Sequence, residues 1–119
     1  KLEIFLRVTQ ENDWDRGYPV YIGLLANAAV ERGDTELLPQ LLDQASRLVG
    51  TYAYGTRNSL FYETVRSLAG LAHAYGQVSD TAIALDGLSS LMQTADTLDD
   101  SVAKQELLHA IALSYVALN

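Results

Sequence analysis

Histidine is the side chain that most readily exchanges a proton near neutral pH, and this 119-residue chain has two, His73 and His109. No His-x-x-x-His or His-Glu-x-x-His pattern surrounds either, so neither has the second histidine on the same helical face that zinc chemistry uses. Cysteine is absent, which excludes disulfides, zinc knuckles and thiol catalysis. No Gly-x-Ser-x-Gly elbow, glycine-rich phosphate loop or dinucleotide fingerprint occurs, so no cofactor is expected. The carboxylates are scattered, and several stand in turns, as at Asp13 and Asp15 or Asp99 and Asp100, where helix capping explains them. The expectation is a protein that is not an enzyme.

Charge narrows the partners. Fifteen acidic against eight basic side chains give a net charge of -7, which repels a phosphate backbone unless a local basic patch overrides it. Arg7, Arg16, Arg32, Arg47, Arg57, Arg66 and Lys104 are spread singly with no aromatic cluster among them, so nucleic acid is not an expected partner. No apolar run approaches the roughly 20 residues that span a bilayer, and no secretory signal opens the chain, so no membrane partner is expected and a cytoplasmic setting is the default. The chain begins at Lys1 without methionine, and both ends read as amphipathic helix. We read it as one helical-repeat domain over residues 1–119, an excerpt of a longer protein.

Whatever these side chains do, helices must position them. Apolar residues recur at helical spacing from end to end, and no stretch alternates as a strand would. The pattern predicts an all-α fold of about six helices. The first, over 2–10, places Leu2, Phe5, Leu6 and Val8 on one face. A second begins at Pro19 and runs to Arg32, where Gly33 supplies a left-handed stop. A third, over 35–49, is capped by Asp34 or Thr35 and ended by Gly50. A fourth runs from a cap at Asn58 or Ser59 to Tyr75 and is closed by Gly76. A fifth, over 80–95, starts at Ser79 or Asp80, and a sixth, over 102–118, starts at Asp99, Asp100 and Ser101. The short connections predict antiparallel neighbours.

Three of these helices share a pattern. Ile22-x-x-Leu25-Ala26-x-x-Ala29, Leu68-x-x-Leu71-Ala72-x-x-Tyr75 and Leu108-x-x-Ile111-Ala112-x-x-Tyr115 align without gaps. Large residues flank a small one at Ala26, Ala72 and Ala112, which resembles the first helix of a tetratricopeptide repeat, where the small residue sits at a close helix crossing. The other half of that repeat is matched loosely by Leu38 and Leu42 and better by Ala84 and Leu88. The resemblance covers about residues 20–118. It departs from the family in spacing, with 46 residues from Ala26 to Ala72 and 40 from Ala72 to Ala112 against about 34 in the standard unit. The closing proline is also missing.

The resemblance implies stacked antiparallel helical hairpins forming an α-α superhelix, whose concave face binds a peptide or protein partner. Family positions that project into such a groove correspond here to Asn27, Glu31, Arg66, His73, Gln77 and His109. Asn27, Arg66, His73 and His109 have the hydrogen-bonding groups to hold a peptide backbone or a carboxylate. The same six residues are otherwise a solvated helix face. The lysine and asparagine set with which some members grip a terminal carboxylate is not reproduced, because Gly23 stands where a lysine is needed.

Seven tyrosines offer a second signal. Tyr75 and Tyr115 fall at a core position of the pattern and are read as packing residues, whereas Tyr52 and Tyr54 in the longest loop suit an exposed contact. Interior glycines at Gly23, Gly70 and Gly87 each cost a helix about 1 kcal/mol relative to alanine, so close helix approach is the expected compensation. Gly23 and Gly76 have a competing use, leaving room for a ligand backbone. The leading functional expectation is a non-enzymatic interaction scaffold. The alternative is a ligand- or peptide-sensing regulatory segment of a larger signalling protein, and self-association through the terminal helices would cover their apolar faces.

Overall fold

The computed structural model describes residues 18–52 and 59–118, and all of its regular structure is helical. There are five helices among the described residues: α1 (Tyr18–Arg32), α2 (Leu37–Tyr52), α3 (Ser59–Gly76), α4 (Thr81–Asp96) and α5 (Ser101–Leu118). The helix expected over 2–10, the cap at Asn58 and the contact at Tyr54 lie outside the described residues.

Local chemistry accounts for most boundaries. Gly33 has φ 78°, and the Gly33 N–H donates to the Val30 carbonyl while the Asp34 N–H reaches back to Ala29, the paired bonds of a Schellman stop. Asp80 caps α4 by accepting from the amides of Ala82 and Ile83 at 3.0 and 3.3 Å. Asp100 caps α5 in the same way, accepting from the Ala103 N–H at 3.0 Å.

One expected stop is passed and one stands. Helix α2 continues through Gly50 to Tyr52, whereas Gly76 is the last residue of α3. Among the described residues Gly33 is the one glycine with positive φ, so neither Gly50 nor Gly76 supplies a left-handed cap. Helix α3 ends in tight turns, Gln77 N–H to Ala74 and Val78 N–H to Tyr75.

Helix α3 is the centre of the fold. It lies beside α1 on one flank and α5 on the other, while α2 and α4 pack against this row as a second layer. The extents, 37 × 34 × 16 Å, suit two layers of helices about 10 Å apart. Because α3 is covered on three sides, Val65, Leu68, Leu71 and Tyr75 are all buried, and Ser67, Ala72, Ala74 and Gly76 are buried with them.

Small residues set how closely the row packs. A Cβ on Gly70 would stand 3.2 Å from the Gly23 Cα, and one on Gly76 would stand 3.0 Å from the Ser114 Cβ. Gly23 and Gly76 thus serve helix crossings, and the expectation that they leave room for a ligand backbone is replaced by packing. The third copy of the sequence pattern also departs from the other two. Ala26 and Ala72 are fully buried, but Ala112 is exposed, and Ser114 makes the close approach in its place. Helix α5 has a described neighbour layer on one side only, which leaves the aligned position on its outer side.

Candidate functional site

The six side chains expected to form a binding face are carried by the row α1, α3 and α5. Glu31 is exposed in the last turn of α1, Arg66 and His73 are exposed two turns apart on α3, Gln77 is exposed just beyond it, and His109 is exposed on α5. Helical spacing puts Arg66 and His73 opposite the stripe of Leu68, Leu71 and Tyr75 that faces the second layer. Asn27 is half-buried, and its Nδ2 donates to the Gly23 carbonyl at 2.9 Å, so one of its two amide hydrogens is already committed to its own helix. No hydrogen bond or ion pair among the described residues joins any two of the six. The structure brings them to one layer without linking them. Leu24 and Leu113 add apolar surface to the flanking helices, 64% and 57% exposed.

Glu106 and His109 stand three residues apart on α5, and both are exposed. Among the described residues no three histidines, aspartates or glutamates come close enough to hold a metal ion. No described helix is long and apolar enough to cross a membrane.

The tyrosines divide by environment. Tyr115 is half-buried against the core, and Tyr62 is half-buried with its hydroxyl donating to Asp100 Oδ2 at 2.8 Å. The amide of Ala103, then the Tyr62 hydroxyl, and to a lesser degree the amide of Val102 hold the Asp100 carboxyl below its ordinary value of 3.8. Asp100 therefore joins the capped end of α5 to α3. Tyr75 is 2% exposed, and burial, with a smaller contribution from the nearby Asp86 charge, pushes its hydroxyl up to about 12.

Tyr75 also marks a site that sequence reasoning missed. Helices α2 and α4 touch only sparsely, and between them lies an open groove of about 720 Å³ with Tyr75 in its wall. Helix α2 and its approach contribute Thr35, Glu36, Pro39, Leu42, Asp43 and Ser46. Helix α4 contributes Ile83, Asp86, Gly87, Ser90, Gln93 and Thr94, with Thr97 at its end. Ser46 and Thr94 bridge the groove with a 3.1 Å hydrogen bond, and because the Thr94 hydroxyl also donates to the Ser90 carbonyl at 3.2 Å, Ser46 supplies the bridging proton. Three carboxylates line the groove and no basic residue does. Asp43 is held by Arg47 one turn on. Glu36 and Asp86 have no ion-pair or hydrogen-bond partner among the described residues.

The signal for this groove was present as polar side chains at helical spacing, Asp86, Ser90, Gln93 and Thr97 on one helix and Glu36, Asp43 and Ser46 on the other. Their meeting is a tertiary fact, since the two stretches lie about 50 residues apart in the chain. The arrangement can bind, through apolar contact, hydrogen bonds and negative charge. The chain matches no family model, no curated protein and no solved structure.

Proposed function

We propose that this chain is a non-enzymatic binding module for a peptide or protein partner, built as a tetratricopeptide-like array of helical hairpins. The hairpins α1–α2 and α3–α4 stack so that alternate helices share a layer, which is the order such an array requires. The observation that carries the reading is the exposed surface of the α1, α3 and α5 row. Leu24 and Leu113 there flank the charged and amide-bearing residues Glu31, Arg66, His73 and Gln77, a mixture of apolar anchor and directed polar groups suited to a peptide. The open form of the α2–α4 groove favours an extended partner over a small enclosed ligand, and so favours this reading over a ligand sensor.

The test is a titration of isotope-labelled protein with peptides selected for binding from a random library. Amide shifts concentrated at Asn27, Arg66, His73 and His109, with affinity lowered about tenfold by Arg66→Ala combined with His73→Ala, support the row as the binding face. Selected binders whose shifts all fall elsewhere overturn it.

A further inference from the structure

The groove between α2 and α4 has a chemistry of its own, distinct from the α1, α3 and α5 face. Its unneutralised charges are Glu36 and Asp86, on opposite walls. Its apolar surface comes from Pro39, Leu42 and Ile83. In its wall the Tyr75 side chain is almost wholly buried, yet no hydrogen bond to its hydroxyl exists among the described residues. The ring is packed away, but the hydroxyl is not sealed from solvent, so it opens to the groove, where a partner can reach it.

We propose that this groove binds an extended peptide segment carrying lysine or arginine, whose cationic side chains pair with Glu36 and Asp86 and whose backbone carbonyl accepts from the Tyr75 hydroxyl. Length fits the occupant. From Thr35 to Ser46 the α2 wall runs roughly 16 Å at helical rise, the reach of about five extended residues. The hydroxyl selects between cations. A protonated polyamine offers donors only, whereas a peptide brings carbonyl acceptors along its length as well as the charge. The Thr35 and Ser90 hydroxyls, which are not committed to other hydrogen bonds among the described residues, serve the remaining backbone groups, and apolar contact at Ile83 and Pro39 suits the methylenes of a lysine stem. The proposal rests on the peptide-binding reading for its class of ligand, but it places that ligand on the opposite layer, so either site can fail without the other.

The experiment uses fluorescein-labelled six-residue alanine peptides carrying two lysines at every possible spacing, followed by anisotropy and by amide shifts. At least one is expected to bind with shifts confined to α2, α4 and Tyr75, with affinity falling as salt rises. Glu36→Gln combined with Asp86→Asn is expected to weaken it about tenfold, and Tyr75→Phe about fivefold, with melting curves showing that each variant is folded. Asp99→Asn combined with Glu106→Gln removes the same charge outside the groove and is expected to leave binding within about twofold. Four results overturn the proposal. One is no binding by any lysine peptide, and a second is equal weakening by the two double variants, which reduces the effect to general attraction by an acidic protein. Shifts that fall on α1, α3 and α5 move the peptide to the other face and leave the function standing. Spermine occupying the groove where the peptides do not makes the site one for a small polyamine.

Discussion

The ring of Tyr75 lies flat in the space that a side chain at position 87 would occupy: a Cβ on Gly87 would stand 2.2 Å from its Cε1 and 2.3 Å from its Cζ. That contact ties the last turn of α3 to the middle of α4 and fixes the ring in the groove wall.

Gly87→Ala therefore forces a buried ring to move. It is expected to lower stability by about 1–3 kcal/mol, even though alanine is the better helix former by about 1 kcal/mol. Gly50→Ala is the contrasting case, because no atom of the described residues lies within 4 Å of a Cβ at that helical, exposed position. It is expected to raise stability by about 0.5–1 kcal/mol. Urea denaturation of the two variants checks the pair.

Tyr75 also makes the fold sensitive to alkali. Its folded pKa, about 12, lies above the ordinary 10.0, so the neutral hydroxyl is favoured by folding. The stabilisation is complete below pH 10 and is lost as pH rises from there through about 12. Relative to Tyr75→Phe, the native chain should lose about 2 kcal/mol across that window, measured by denaturation at pH 9 and pH 11.5. Parallel curves for the two proteins would refute it.

At the other end of the pH scale, Asp100 works in the opposite direction. Its folded pKa lies below 3.8, so its contribution is present above that value and is lost as pH falls through the lowered one. Asp100→Ala should flatten the acid limb of the stability curve. Tyr62→Phe should flatten it less, because the Ala103 amide is the larger cause and remains. A Tyr62→Phe variant indistinguishable from the native chain below pH 4 would remove the Tyr62 hydroxyl from the account.

The crossing of α3 and α5 gives a coupled pair. Gly76→Ala brings a Cβ to 3.0 Å from the Ser114 Cβ and 3.1 Å from its Cα, and should cost about 1–2 kcal/mol. Ser114→Gly removes the nearer atom, so the double variant should be more stable than the sum of the two single changes implies. Additive losses in a thermal-melt cycle would show that the two helices do not press on each other there.

Glycine shows why sequence reading succeeded in one place and failed in another. At Gly33 the sequence Val30-Glu31-Arg32-Gly33-Asp34 carries its own stop, because the hydrogen bonds that end α1 are all local. Gly50 and Gly76 look the same in the sequence, yet neither has positive φ, and Gly76 is present because Ser114 needs the space. The caps at Asp80 and Asp100 were legible for the same reason as Gly33: a carboxylate two or three residues from the amides it accepts. Asn27, Glu31, Arg66, His73, Gln77 and His109 were legible as helix surface, but nothing local says which neighbour stands beside each.

By itself, then, the sequence determined the all-α class, the sites of helix capping and the apolar stripes that become the core, since each follows from spacing within one or two turns. Tertiary structure alone decided that α3 lies between α1 and α5, that Ser114 rather than Ala112 makes the close approach, and that α2 and α4 leave a groove between them. Those outcomes depend on contacts between residues far apart in the chain. A side chain's meaning there, Tyr75 above all, comes from the volume its neighbours leave open.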